Sequence, residues 1–171
     1  MPGRRTLVVV VVAAVAVAGG SVLALSGGPG ADSDGGDLPD VTLTDFDGEQ
    51  ATLDEFSGDP LVVNFYASWC PPCIGEMRDA FGPVDRDLDG VTFVGVALQD
   101  DPEAALGVAE QTGVAYALVQ DPEGELYRAF ELAAMPATVY VDAEGQVRGS
   151  HNGALTRSQL EDQIATHLGE P

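Results

Sequence analysis

The apolar residues of the chain fall into runs of three kinds. The first is Leu7 to Leu25, 19 residues without a charge, made of Val, Ala, Leu, Gly and one Ser. At 1.5 Å rise per residue a helix of that length spans about 28 Å, close to the hydrocarbon thickness of a bilayer. The second kind is strand-length. Pro60 to Tyr66 and Val91 to Leu98 are nearly continuous apolar runs, the pattern of strands buried on both faces, and the first is placed at the centre of a sheet. Val41-Thr42-Leu43 and Ala51-Thr52-Leu53 flank Asp47-Gly48, which predicts a hairpin with glycine at positive φ. Tyr116 to Val119 is a further short strand. Ala137 to Val141 and Gln146 to Gly149 pair across Asp142-Ala143-Glu144-Gly145.

The third kind is helical. Ile74 to Leu88 follows two prolines and stops at Asp89-Gly90. Asp101-Pro102-Glu103 opens a second helix with an N-cap acid, proline at the first position and an acid in the first turn; it runs to about Gln111 and ends at Gly113. A helical piece, Glu125 to Phe130, follows the turn Asp121-Pro122-Glu123-Gly124. Thr156 caps a last helix, Arg157 to Leu168, with Leu160, Ile164 and Leu168 four apart on one face. Strands alternating with helices predict a mixed α/β domain.

The chain therefore divides into residues 1–6, a short n-region; 7–25, a transmembrane anchor or signal segment; 26–40, a Gly-rich acidic linker; and 41–171, the folded domain. Arg4 and Arg5 precede the apolar run and the first acid, Asp32, follows it, so the positive-inside rule puts the domain on the extracytoplasmic side. The length of the run favours an uncleaved anchor, while Ala24-Leu25-Ser26 is an acceptable cleavage site that would release the domain. Seven basic residues stand against 28 acids, a formal charge of −21. Phosphate-backbone binding is driven by basic side chains, so nucleic acid is excluded as a primary partner. All seven basic residues are arginines, which removes lysine-dependent chemistry: Schiff bases, P-loops and lysine general bases.

Two cysteines cannot build a disulfide scaffold or a four-cysteine zinc site. They stand at Trp69-Cys70-Pro71-Pro72-Cys73, after a buried strand and at the start of a helix. Positions i and i+3 of a helix lie on adjacent turns, within the Cα separation a disulfide needs, so the pair can close and open without moving the fold. The first sulfur lies over the helix N-terminus, where free N–H groups and the dipole stabilise a thiolate. Pro71 and Pro72 carry no N–H, so Cys73 is expected to supply the first free donors. Cys70 is read as the exposed attacking thiolate and Cys73 as the resolving thiol. A static structural disulfide is the competing reading, but a four-residue loop is a poor staple, because cross-link stabilisation grows with loop length.

Val62 to Met77, with Trp69-Cys70-Pro71-Pro72-Cys73 at its centre, resembles the active-site segment of thioredoxin-fold proteins, above all the membrane-tethered TlpA/ResA-like thiol-disulfide oxidoreductases. Ala134-Met135-Pro136-Ala137-Thr138 resembles their cis-proline loop, and His151 to Thr156 their turn into the final helix. The likeness covers residues 38–168. It implies a thioredoxin-like fold, a central mixed β-sheet flanked by helices, with an N-terminal hairpin and a helix-strand insertion at residues 101–120. It also implies a redox-active Cys70-Cys73 disulfide and a cis bond at Pro136, beside which Met135 would pair with an extended substrate peptide. Glu76, three residues after Cys73 on the same helical face, could take the proton of Cys73 or be a solvated acid. Asn64 occupies the place of a buried aspartate in cytosolic thioredoxins, which makes Glu76 the better base. Trp69 either covers the sulfurs or packs in the core. Arg78 stands where many relatives have a helix-kinking proline. His151 and His167 read as a turn residue and a surface residue.

The resemblance implies a reductant of protein disulfides, with apocytochrome c as the family's best-known substrate, recharged by a membrane electron donor. An oxidant that forms disulfides in exported proteins is the alternative, since Pro-Pro between the cysteines does not decide the direction. A copper or zinc module would need ligands that three methionines and two histidines do not assemble around the pair, so no metal and no cofactor is expected. A peroxidase reading fails at Ala67, where peroxidatic relatives carry Thr or Ser.

Overall fold

The computed structural model describes residues 36–169. The apolar run at 7–25, its cleavage site and the linker up to residue 35 lie outside the described residues. Among the described residues no helix is long and apolar enough to cross a membrane.

The domain is one seven-stranded mixed sheet with helices on both faces. In chain order the strands are β1 (Leu43–Thr44), β2 (Gln50–Ala51), β3 (Leu61–Tyr66), β4 (Thr92–Leu98), β5 (Ala117–Asp121), β6 (Ala137–Val141) and β7 (Val147–Asn152). The helices are α1 (Pro71–Glu76), α2 (Gly82–Asp87), α3 (Pro102–Thr112), α4 (Glu125–Ala129) and α5 (Arg157–Leu168). The order across the sheet is β2-β1-β5-β4-β3-β6-β7, so β4 is the middle strand and β3, expected at the centre, lies one place off it. Parallel β3-β4 and β4-β5 pairs follow from the helical crossovers between them. The expected hairpin forms with Leu43 opposite Ala51 and Gly48 at φ +88°, and β1 attaches it to β5 through Thr44 and Gln120. The insertion is α3 with β5. Asp101 caps α3 by accepting from Ala104 N–H at 3.0 Å, and Gly113 ends it in the left-handed region.

Four local expectations are corrected. Residues 36–38, read as the end of the linker, pair with the β6–β7 turn: Asp37 bridges Gln146, Leu38 N–H donates to Gly145 O, and Val147 N–H donates to Gly36 O. The hairpin partner of β6 extends to Asn152, so His151 belongs to a strand, because five registered pairs from Ala137↔Asn152 to Val141↔Val147 hold it there. His167 is half-buried, stacked on Tyr140 with ring centroids 4.9 Å apart, its Nδ1 3.0 Å from Arg148 O. The helix after the cysteines starts three residues earlier than read, at Pro71, since proline is well tolerated in a first turn that needs no N–H.

That helix is also interrupted by a π-helical turn at Met77–Phe81, between α1 and α2. Pro83 explains it. Its missing N–H and its ring deny a normal turn to the carbonyl of residue 79, and Gly82 N–H reaches back five residues to Met77 O instead.

Single-residue alternation splits the core in two. Leu61, Val63 and Phe65 point to one face with Val94, Val96, Val119, Val139 and Leu126. Val62 and Tyr66 point to the other, under α1, α2, α3 and α5, with Phe81, Phe93, Tyr116, Tyr140 and Leu160.

Candidate active site

Cys70 is the N-cap of α1 and Cys73 lies in its first turn. They form a disulfide with Cα atoms 5.3 Å apart. Cys70 is 4% exposed and Cys73 fully buried, so the expected asymmetry is present in small measure, and the expectation of an exposed Cys70 is corrected: the closed pair sits on Tyr66, Ala67, Met77 and Ala97. The N–H of Cys73 is not free either. It donates to Cys70 O at 3.0 Å, and Ile74 N–H donates to the same carbonyl at 3.3 Å.

The loop leading to Cys70 is tied down by a residue with no signature in the sequence. The Asp100 carboxylate accepts from both the N–H and the hydroxyl of Ser68, and from the N–H of Asp101. Next to the N-cap Asp101, an acid at 100 had no distinguishing signal. Trp69 is 55% exposed, which overturns the core-packing reading, and its indole N–H donates to Gln99 O at 3.4 Å. An aromatic ring is thus left in solvent beside a closed disulfide.

Beside the cluster that holds the disulfide, the Met135–Pro136 peptide bond is cis. Pro136 is buried, and Met135 is half-buried against the cluster that contains both cysteines. No hydrogen bond within the described chain occupies the backbone of Met135. The loop before it is held by Asn152, whose Oδ1 accepts from Ala133 N–H at 2.9 Å and Ala134 N–H at 3.1 Å. Asn152 reaches that loop because β7 extends to it, opposite Ala137.

Glu76 is not a solvated acid. It is 4% exposed, and its two oxygens are each engaged: Leu155 N–H donates to Oε1 at 2.7 Å and Asn64 Nδ2 donates to Oε2 at 3.2 Å. Burial pushes its carboxyl up to about 7, against those two hydrogen bonds, which favour the charged form. A carboxyl that titrates near neutrality is matched to proton exchange with a thiol. One edge of Glu76 lines an open cleft between α1 and residues 154–157, with Gly75, Asp79 and Arg157. Among the described residues no group of three potential metal ligands gathers here or elsewhere.

The family model described as Redoxin matches residues 33–164. The chain belongs to the Redoxin family. Among its relatives, the thiol-disulfide oxidoreductase ResA of Geobacillus kaustophilus is 27% identical over 132 residues, 76% of this chain and 75% of that one. The DsbE homolog of Paracoccus denitrificans, a thiol:disulfide interchange protein, is 33% identical over 138 residues, covering 78% and 74%. A secreted Mycobacterium tuberculosis disulfide oxidoreductase, described as homologous to E. coli DsbE, superposes with a TM-score of 0.66 at 25% identity, over 74% of this chain and 95% of that one. This Redoxin member thus shares the thioredoxin-like fold of DsbE-type structures and carries its Cys-x-x-Cys pair at disulfide distance.

Proposed function

We propose that this protein exchanges its Cys70–Cys73 dithiol with disulfides of protein substrates on the extracytoplasmic side of a membrane, as a reductant. The observation that carries the exchange is the closed pair packed against the cis-proline loop. Cys70 thiolate attacks one sulfur of the substrate disulfide, forming a mixed disulfide and releasing the other substrate sulfur as thiolate. The substrate segment lies along the unoccupied backbone of Met135, with Trp69 on its other side. Cys73 then gives its proton to Glu76 and attacks Cys70 Sγ, which closes the intramolecular disulfide and expels the reduced substrate. Both electrons the substrate gains come from the dithiol.

The direction has its own support. A strong oxidant is one whose reduced form is stabilised as a Cys thiolate; a helix N-terminus does this in any Cys-x-x-Cys pair that opens a helix, and neighbouring cations add to it. Here the five arginines of the described residues are engaged elsewhere. Arg78, Arg148 and Arg157 pair with Asp79, Asp142, and Asp87 and Glu161. Arg86 and Arg128 donate to the carbonyls of Gly113 and Glu123. With no arginine of the described residues free to add to the helix N-terminus at the Cys70 thiolate, the disulfide is the favoured state and the dithiol a good donor. Apocytochrome c cysteines are a fitting substrate class, and a membrane electron donor must regenerate the dithiol. The apolar run at 7–25 is the tether that keeps the domain within reach of that donor.

Trapping tests the exchange. Cys73→Ser should accumulate a mixed disulfide with substrate through Cys70, seen as a dithiothreitol-sensitive adduct, and Cys70→Ser should abolish it. No adduct in either variant would overturn the exchange reading.

A further inference from the structure

The buried carboxyl of Glu76 has a second layer that the exchange chemistry does not account for. Asn64, on β3 and fully buried, donates from Nδ2 to Glu76 Oε2 at 3.2 Å, and its Oδ1 accepts from the hydroxyl of Tyr116 at 3.5 Å. Tyr116 is itself buried, and its ring lies against Gly95 of β4, the residue paired with Asn64. A Cβ at Gly95 would stand 3.0 Å from Tyr116 Cε2 and 2.6 Å from Leu118 Cδ2, so this glycine makes the space in which the phenol reaches the amide. The three side chains come from α1, β3 and the segment before β5, far apart in sequence.

During exchange Glu76 must exist both ionised and protonated, and the two forms ask for opposite partners. A carboxylate needs a donor; a carboxylic acid brings its own O–H and needs an acceptor. An amide offers both at its two ends, and a phenol hydroxyl can donate or accept. Turned over, Asn64 would present Oδ1 to the acid and Nδ2 to the Tyr116 oxygen, so that the carboxyl and both ends of the amide keep a partner. An aspartate at position 64 could serve only the protonated form, because two carboxylates side by side resist double ionisation. The Leu155 N–H stays on Oε1 in either state.

We propose that Asn64 and Tyr116 are a pair of positioning residues whose amide–phenol hydrogen bond reverses as Glu76 gains and loses its proton, keeping the buried carboxyl partnered in both forms. The inference rests on Glu76 being the proton acceptor of the exchange. The other ionisable groups that face this site are Cys73 on α1, Tyr66 on β3, Tyr140 on β6 and Asp85 on α2, with Asp79 and Arg157 at the cleft edge. Tyr66, Tyr116 and Tyr140 are all held above the ordinary tyrosine range by burial, so they stay neutral while Glu76 titrates.

Nuclear magnetic resonance on the full chain in detergent micelles, with the glutamate carboxyls labelled with 13C and the asparagine amides with 15N, reads both partners without turnover. Loss of one carboxyl signal in Glu76→Gln identifies Glu76. The expected result is a cross-relaxation contact between the Asn64 Nδ2 protons and the Tyr116 ring that is strong below the Glu76 midpoint and weak above it. Asn64→Leu should raise that midpoint by about one pH unit, a tenfold change in ionisation constant, through loss of a donor to the charged form. The near-isosteric Asn64→Asp, which preserves packing, should raise it further. A contact of equal strength on both sides of the midpoint, or a midpoint unmoved in Asn64→Leu and Asn64→Asp, would overturn the proposal. These readouts involve no substrate, so they fail independently of the trapping experiment.

Discussion

The two faces of the sheet are built from the same strands, one residue out of phase, and they are made of different chemistry. On one face Leu61, Val63 and Phe65 meet Val94, Val96 and Val139 in an apolar core, with the buried Asp121 at the end of β5 engaged by the N–H groups of Glu125 and Tyr127; Phe65 lies edge-on to Tyr127 and Phe130, with centroids 5.6 and 6.1 Å apart. On the other, the intervening Asn64 is buried with Glu76, Tyr116, Thr138 and Tyr140 beneath the helix that carries the cysteines. Burying polar groups costs stability unless each is paired, and it makes pKa values adjustable. The dry face holds the domain together; the polar face spends part of that stability on a carboxyl that titrates near pH 7. Keeping the two jobs on opposite faces lets each be changed with little effect on the other.

The largest effect that would sharpen this contrast is on the dry face. Phe65→Ala removes two aromatic contacts from a sealed core and should cost about 3–5 kcal/mol of stability by chemical denaturation. The exchange rate per folded molecule should remain that of the parent.

The polar face should respond in the opposite way. Glu76 has an ordinary value of 4.5 and is held at about 7 in the fold, so between those values the folded chain keeps a proton the unfolded chain has lost. Its contribution to stability is therefore fully present below about pH 4.5 and lost as pH rises through about 7, a fall of about 3 kcal/mol. Glu76→Gln should flatten that slope, leaving the variant the more stable of the two at pH 8, while release of the mixed disulfide slows by about a hundredfold. Equal pH slopes in denaturant melts of the two proteins would remove the cost assigned to this face. A smaller effect is expected at Gly95, where alanine would press on Leu118 and the Tyr116 ring. Gly95→Ala should lose about 1–2 kcal/mol and move the pH midpoint of exchange, whereas the same loss introduced on the dry face should leave that midpoint in place.

Much of this division was legible from residue types alone. Continuous apolar runs gave β3 and β4, Asp101-Pro102 and Gly113 gave both ends of α3, and Trp69 to Cys73 gave the redox pair, because in each case the local chemistry admits few alternatives. The ends of elements whose limits are set by distant partners were not legible. Residues 36–38 look like linker and become part of the sheet edge only because the β6–β7 turn lies beside them. The π-helical turn required connecting Pro83 with a carbonyl four residues back inside an apparently ordinary helix. Asn64 and Glu76 could be named from the sequence, but Tyr116, 52 residues from Asn64, joins them only through the pairing of β3, β4 and β5. Asp100 and Asn152, which fix the two loops of the site, look like ordinary turn residues until the sheet brings those loops together.

The most direct test of the account is the reduction potential of the Cys70–Cys73 pair in the full chain, equilibrated with glutathione buffers of graded ratio. With every described arginine engaged away from the sulfurs, the account predicts a value at the thioredoxin end of the scale, about −270 mV; a value near −120 mV, where the reduced form is the stabilised one, would contradict it and make the protein a disulfide-forming oxidant.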